Sequence, residues 1–76
     1  MTAIRILGID PGSRVTGVGV VELEGHSLRH VYSACIRAGD GDLGGRLATI
    51  YSGVSEVIQD WRPQSAAVER VFLASN

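Results

Sequence analysis

Residues 4–13 run Ile4-Arg5-Ile6-Leu7-Gly8-Ile9-Asp10-Pro11-Gly12-Ser13, an apolar stretch that stops at an acid and a proline-glycine pair. Residues 4–9 carry β-branched and apolar side chains on both alternating faces, which suits a central strand covered on both sides. Pro11 and Gly12 at the middle of the turn favour type II geometry, in which Gly12 takes the positive φ that the position requires. Residues 15–23 then form a second strand. Its Gly17 and Gly19 suggest close approach of another backbone or a ligand. Residues 24–27 make a hairpin turn, and the more polar third strand, 28–37, lies nearer an edge. After a loop, Asp42 is placed to cap a helix. Leu43, Leu47, Ile50, Tyr51, Val54, Val57, Ile58 and Trp61 recur in steps of three and four, one face of an amphipathic helix over 43–61. Gly44 and Gly45 weaken its first turn by about 1 kcal/mol each. Pro63 ends it, because the residue before a proline disfavours the α region. Residues 65–68 form a short strand that ends at Glu69.

The order strand, strand, strand, helix, strand predicts an α/β fold with a mixed sheet. Three strands joined by tight turns form an antiparallel meander, and the helix returns the chain so that the fourth strand lies parallel to the first. One face of the apolar first strand has nothing in this chain to cover it. Residues 1–76 are therefore expected to be the amino-terminal half of a single domain, with an unpaired edge beside the fourth strand.

Composition narrows the function less than topology does. The chain has 76 residues, 45% of them hydrophobic, and a net charge of −1, which argues against nonspecific adhesion to nucleic acid. All seven basic residues are arginines spread along the chain, so a phosphate-binding surface has to be assembled by folding. No apolar run approaches the roughly 18 residues of a membrane span, and the first residues lack a signal-peptide pattern; a cytoplasmic location is expected. Cys35, the single cysteine, excludes an internal disulfide and a cysteine metal pair, and is expected to be a small buried hydrophobe in the third strand.

The chemistry lies at two acids. Sites in open α/β sheets form beyond the carboxyl ends of parallel strands, and Asp10 follows the first strand as Glu69 ends the fourth. If those strands are neighbours, a spacing of about 4.8 Å brings both carboxylates to one rim. Their mutual repulsion is relieved by a divalent cation, and carboxylate oxygens suit Mg²⁺ or Mn²⁺. Two such ions about 3.5–4 Å apart can activate water and stabilise the leaving oxygen of a phosphodiester. The blander alternatives are that Asp10 is a turn residue before Pro11-Gly12, and that Glu69 pairs with Arg70 at the rim.

Gly8-Ile9-Asp10-Pro11-Gly12-Ser13-Arg14-Val15-Thr16-Gly17 and Ala67-Val68-Glu69-Arg70-Val71-Phe72 together resemble the RuvC family of Holliday-junction endodeoxyribonucleases, with a ribonuclease-H-like fold. Between them, Asp42-Leu43, Arg46-Leu47 and Ile50 resemble the family's first helix. The resemblance covers essentially the whole chain. It implies a homodimer that makes paired, symmetric nicks in a four-way DNA junction with Mg²⁺ in recombination and repair, leaving 5′-phosphate and 3′-hydroxyl ends. It also implies partnership with the RuvA–RuvB branch-migration complex. Asp10 and Glu69 match the first two catalytic acids and metal ligands. Phe72 matches an aromatic that contacts the opened junction, where stacking on an unpaired base is reasonable; the alternative is a core residue covering the sheet rim. Arg14 and Arg70 are candidate phosphate contacts.

The chain departs from the family at Val18, where an aromatic is frequent, and at Ser75, where a basic residue is frequent. The larger departure is length: the family's remaining carboxylates come from a carboxy-terminal helix, so the 76-residue chain alone is expected to be inactive. Competing expectations are a noncatalytic DNA-binding or dimerisation module, and a related nuclease acting on ribosomal RNA precursors. An actin-like ATPase, whose similar turn cradles phosphate, is a further rival.

Overall fold

Five elements follow in the expected order, β1 (Ile4–Asp10), β2 (Val15–Glu24), β3 (Ser27–Arg37), α1 (Leu43–Trp61) and β4 (Ser65–Val68), in a computed structural model that describes residues 3–69. Arg70, Phe72 and Ser75, singled out above, lie outside the described residues. The strands form one sheet in the order β3-β2-β1-β4. β1–β2 and β2–β3 are antiparallel, and β1–β4 is parallel with Ile9 opposite Val68. The apolar β1 is thus interior and the more polar β3 is an edge, as their patterns required.

Local chemistry explains the connections. β2 and β3 are joined by a two-residue turn with Glu24 opposite Ser27, and Gly25 occupies its first central position at φ +61°. A positive φ there matches a type II′ hairpin, whose twist suits the strands. The turn after β1 is built differently from the expectation. Gly12 does not have a positive φ. It is needed for space instead: a Cβ there would collide with the Val15 carbonyl group. The Thr16 hydroxyl closes this turn, donating to the Gly12 carbonyl at 2.8 Å and accepting the Gly12 N–H at 3.3 Å.

Asp42 caps α1 by accepting the Gly45 N–H at 2.6 Å. A Cβ on Gly45 would approach that carboxylate to 3.0 Å, so the glycine that weakens the first turn also admits its cap. At the other end Arg62 takes the left-handed conformation, φ 49° and ψ 58°, and donates its N–H to the Ile58 carbonyl at 2.9 Å. Pro63 disfavours the right-handed α region for Arg62, and the helix stops there.

α1 packs on the sheet over β2 and β3. Leu7, Val18, Val20 and Val57 form the buried core, flanked by Ile36, Val54 and Trp61. Trp61 stacks on Tyr32 with ring centroids 5.0 Å apart, and Gly53 lets the helix backbone settle onto the Ile36 side chain. The apolar stripe is only partly used, because the helix contacts the β2–β3 side of the sheet. Leu43, Leu47, Tyr51 and Ile58 remain exposed. Among the described residues no helix is long and apolar enough to cross a membrane.

The opposite face of the sheet is bare among the described residues, and this corrects the expectation for Cys35. Alternation along β3 turns Ala34 and Ile36 toward the core and leaves Cys35 exposed on the other face.

Candidate metal centre

Asp10 is the last residue of β1, and Glu69 immediately follows β4. The Glu69 N–H donates to the Ile9 carbonyl at 2.9 Å, which continues the parallel pairing of Ile9 with Val68 by one more step. Asp10 and Glu69 therefore emerge side by side from neighbouring strands, both exposed on the bare face. Their carboxyls interact. Protonated Glu69 hydrogen-bonds Asp10, and this bond, followed by the Asp10 charge and then lost hydration, holds the Glu69 carboxyl above its ordinary value. Two hard oxygen donors that resist simultaneous ionisation are a fitting seat for a divalent cation. No group of three or more His, Cys, Asp or Glu side chains suited to a metal occurs among the described residues, so the pair offers an open, two-acid seat.

The acids stand at the end of a shallow trough of about 590 Å³. Register explains the trough: Ala67 lies opposite Gly8, Gly8 opposite Gly19, and Gly19 opposite Ser33, a row of minimal side chains across four strands. Gly17 and Gly19 were expected to admit another backbone or a ligand, and no backbone of the described residues presses on them. A Cβ at either would meet only ordinary contacts, Asp10 Cβ at 3.7 Å and the Tyr32 carbonyl at 3.8 Å. These glycines leave room over the sheet instead of relieving a clash. Sequence alone showed isolated small residues; only strand register lines them up.

Folding also gathers arginines at this end. Arg14, in the turn after Asp10, pairs through Nε with Asp40 Oδ1 at 2.9 Å and is 65% exposed. Arg46, on the first turn of α1, reaches the Ser13 carbonyl at 3.2 Å and the Gly41 carbonyl at 3.0 Å. Since carbonyls carry no formal charge, Arg46 keeps its own. Arg37 ends β3 opposite Val15. Arg14 was singled out by sequence; Arg37 and Arg46 were not, because nothing in their spacing links them to Asp10. A second charged group, Arg5–Glu22–Arg29, lies toward the far end of the sheet and holds Glu22 below its usual value through the hydrogen bond from Arg5, then that from Arg29.

Comparison with known proteins bears on the family and the fold. The family model described as Crossover junction endodeoxyribonuclease RuvC matches residues 6–76. The Crossover junction endodeoxyribonuclease RuvC of Azoarcus sp. (strain BH72) is 51% identical over 76 residues, covering 100% of this chain and 42% of the relative. That of Vibrio vulnificus (strain CMCP6) is 54% identical over 71 residues, covering 93% and 41%. The structure of T. thermophilus RuvC in complex with Holliday junction substrate superposes with a TM-score of 0.84 at 29% identity, covering 96% of this chain and 46% of that one. The sheet-and-helix arrangement is accordingly ribonuclease-H-like, and the chain spans about two fifths of the length of its curated relatives.

Proposed function

The chain belongs to the crossover junction endodeoxyribonuclease RuvC family, and on that premise we propose that it supplies the first two metal-binding carboxylates of a nuclease that cuts four-way DNA junctions. The observation that carries this reading is the emergence of Asp10 and Glu69 from adjacent parallel strands, with Asp10 raising the proton affinity of Glu69.

Asp10 and Glu69 hold Mg²⁺ or Mn²⁺ in this reading, and such an ion supplies Lewis-acid stabilisation of the phosphodiester and activation of water. The chain's own contribution is placement. The β1–β4 pairing sets the spacing of the two carboxylates, and the small residues of the trough leave them accessible. Arg37 and Arg46 add positive charge at the same end of the sheet, and Arg14, paired with Asp40 in the turn after Asp10, is a further arginine there for a phosphate backbone to draw on. Arg70 extends that charge along the sequence, and Phe72, three residues past Glu69, is the candidate to stack on an unpaired base. Residues 1–76 then form the amino-terminal half of the nuclease domain, and a homodimer presents two such sites for paired nicks.

The test uses the complete protein with a synthetic four-way junction and Mg²⁺. Asp10→Asn and Glu69→Gln are each expected to lower kcat on the order of 100-fold or more, with junction affinity close to wild type. Normal cutting by both variants refutes the site. Phe72→Ala is expected to reduce cutting while leaving duplex binding unchanged; an unaltered rate reassigns it to packing.

A further inference from the structure

Thr16 is the buried polar residue among the described residues, 1% exposed, and both of its hydrogen bonds go to Gly12, one to the carbonyl and one from the N–H. Gly12 stands two residues after Asp10, with Pro11 between them at a ring-locked φ. Fixing Gly12 therefore fixes the direction in which the chain leaves Asp10. The turn is also tight, since the Val15 carbonyl occupies the space where a Cβ on Gly12 would lie. Thr16 does this from the helix side of the sheet: its neighbour Gly17 pairs with Asp10 on the bare face, and alternation sends the Thr16 side chain the opposite way.

We propose that Thr16 is a positioning residue, its hydroxyl clamping the turn between residues 10 and 16 so that Asp10 presents its carboxylate to the divalent cation in a fixed direction. This rests on the reading of Asp10 as a metal ligand. Groups that orient a ligand affect metal affinity or activity by about 10–100-fold when lost. Threonine suits the task because its methyl fills the core while its hydroxyl donates and accepts at once. Valine has nearly the same shape and does neither, so it isolates the hydrogen bonds from the packing. Serine keeps the hydroxyl and gives up only the methyl.

Full-length protein carrying Thr16→Val, Thr16→Ser or Gly12→Ala is compared with wild type and with Asp10→Asn. The readouts are kcat on a four-way junction, junction Kd, and the Mg²⁺ concentration giving half-maximal rate. Thr16→Val is expected to lower kcat about 10-fold, raise the Mg²⁺ requirement and leave Kd unchanged, with Thr16→Ser close to wild type. Gly12→Ala opens the same turn by steric contact and is expected to follow Thr16→Val; it decides the question should Thr16→Val fail to fold. Wild-type kcat and Mg²⁺ dependence in folded Thr16→Val or Gly12→Ala overturn the proposal. If Asp10→Asn is inactive while those variants cut normally, the clamp alone is wrong. If Asp10→Asn itself cuts normally, the metal-ligand reading is wrong.

Discussion

Glu69 binds its proton more tightly in the folded chain than in the unfolded one, because Asp10 stands beside it. A group whose pKa is raised on folding contributes stability that is complete below its unfolded value, here 4.5, and that is lost as pH rises through the raised value. In the metal-free protein this contribution of Glu69 is therefore expected to fade as pH climbs above 4.5. Glu22 acts with the opposite sign: Arg5 and Arg29 depress its pKa, so its contribution is present above the unfolded value and lost as pH falls. Comparison with Glu69→Gln isolates the carboxyl pair. The difference in Tm between wild type and Glu69→Gln is expected to vary with pH and to shrink when Mg²⁺ is added. A difference that stays constant across pH and Mg²⁺ contradicts contact between the two carboxyls.

At the scale of elements, α1 is bounded by two residues that do different work. Asp42 satisfies an N-terminal amide through its side chain, the ordinary use of aspartate at that position. Arg62 ends the helix with a backbone that costs a residue bearing Cβ about 1–2 kcal/mol. Glycine removes that strain and returns part of the gain as unfolded-state entropy. Arg62→Gly is expected to stabilise by about 0.5–1 kcal/mol, seen as a Tm rise of up to about 2–4 °C in a chain of 150–250 residues; a lower Tm shows that the Arg62 side chain does something the backbone conformation does not reveal. The exposed half of the helical stripe, Leu43, Leu47, Tyr51 and Ile58, follows from where α1 lies. Spacing in sequence defines which side chains share a face, and contact with β2 and β3 decides which of them are buried.

The described residues form a slab of 45 × 30 × 15 Å with a radius of gyration of 14.1 Å, above the roughly 11–12 Å of a compact chain of this size. One helix covers one side of the sheet, and the other side presents the trough and the acids. A two-carboxylate seat open on that side holds a cation weakly and orients water poorly. The isolated 76-residue chain is accordingly expected to leave a four-way junction uncut in Mg²⁺, under conditions where the proposed function has the complete protein nick it symmetrically. Clean paired nicking by the purified 76-residue chain shows that the two acids suffice.

Sequence by itself determined the elements, their order and where the two acids stand relative to their strands. Strand and helix periodicity is local, Pro63 and Asp42 act within a few residues of themselves, and Asp10 ends β1 while Glu69 directly follows β4. Sheet order was legible for the same reason, since tight turns force antiparallel neighbours and a helix between strands permits a parallel one. Tertiary structure alone decided what depends on register and burial. The alignment of Gly8, Gly19, Ser33 and Ala67 into a trough exists only once four strands pair. Cys35 is exposed because of which face α1 covers, and Arg37 and Arg46 reach the same end of the sheet as Asp10 only through folding. Gly12 and Thr16 show the boundary most clearly: the Pro11-Gly12 pair pointed to a turn that needed a positive φ, whereas the folded chain needed a glycine small enough for a carbonyl and a hydroxyl to close on it.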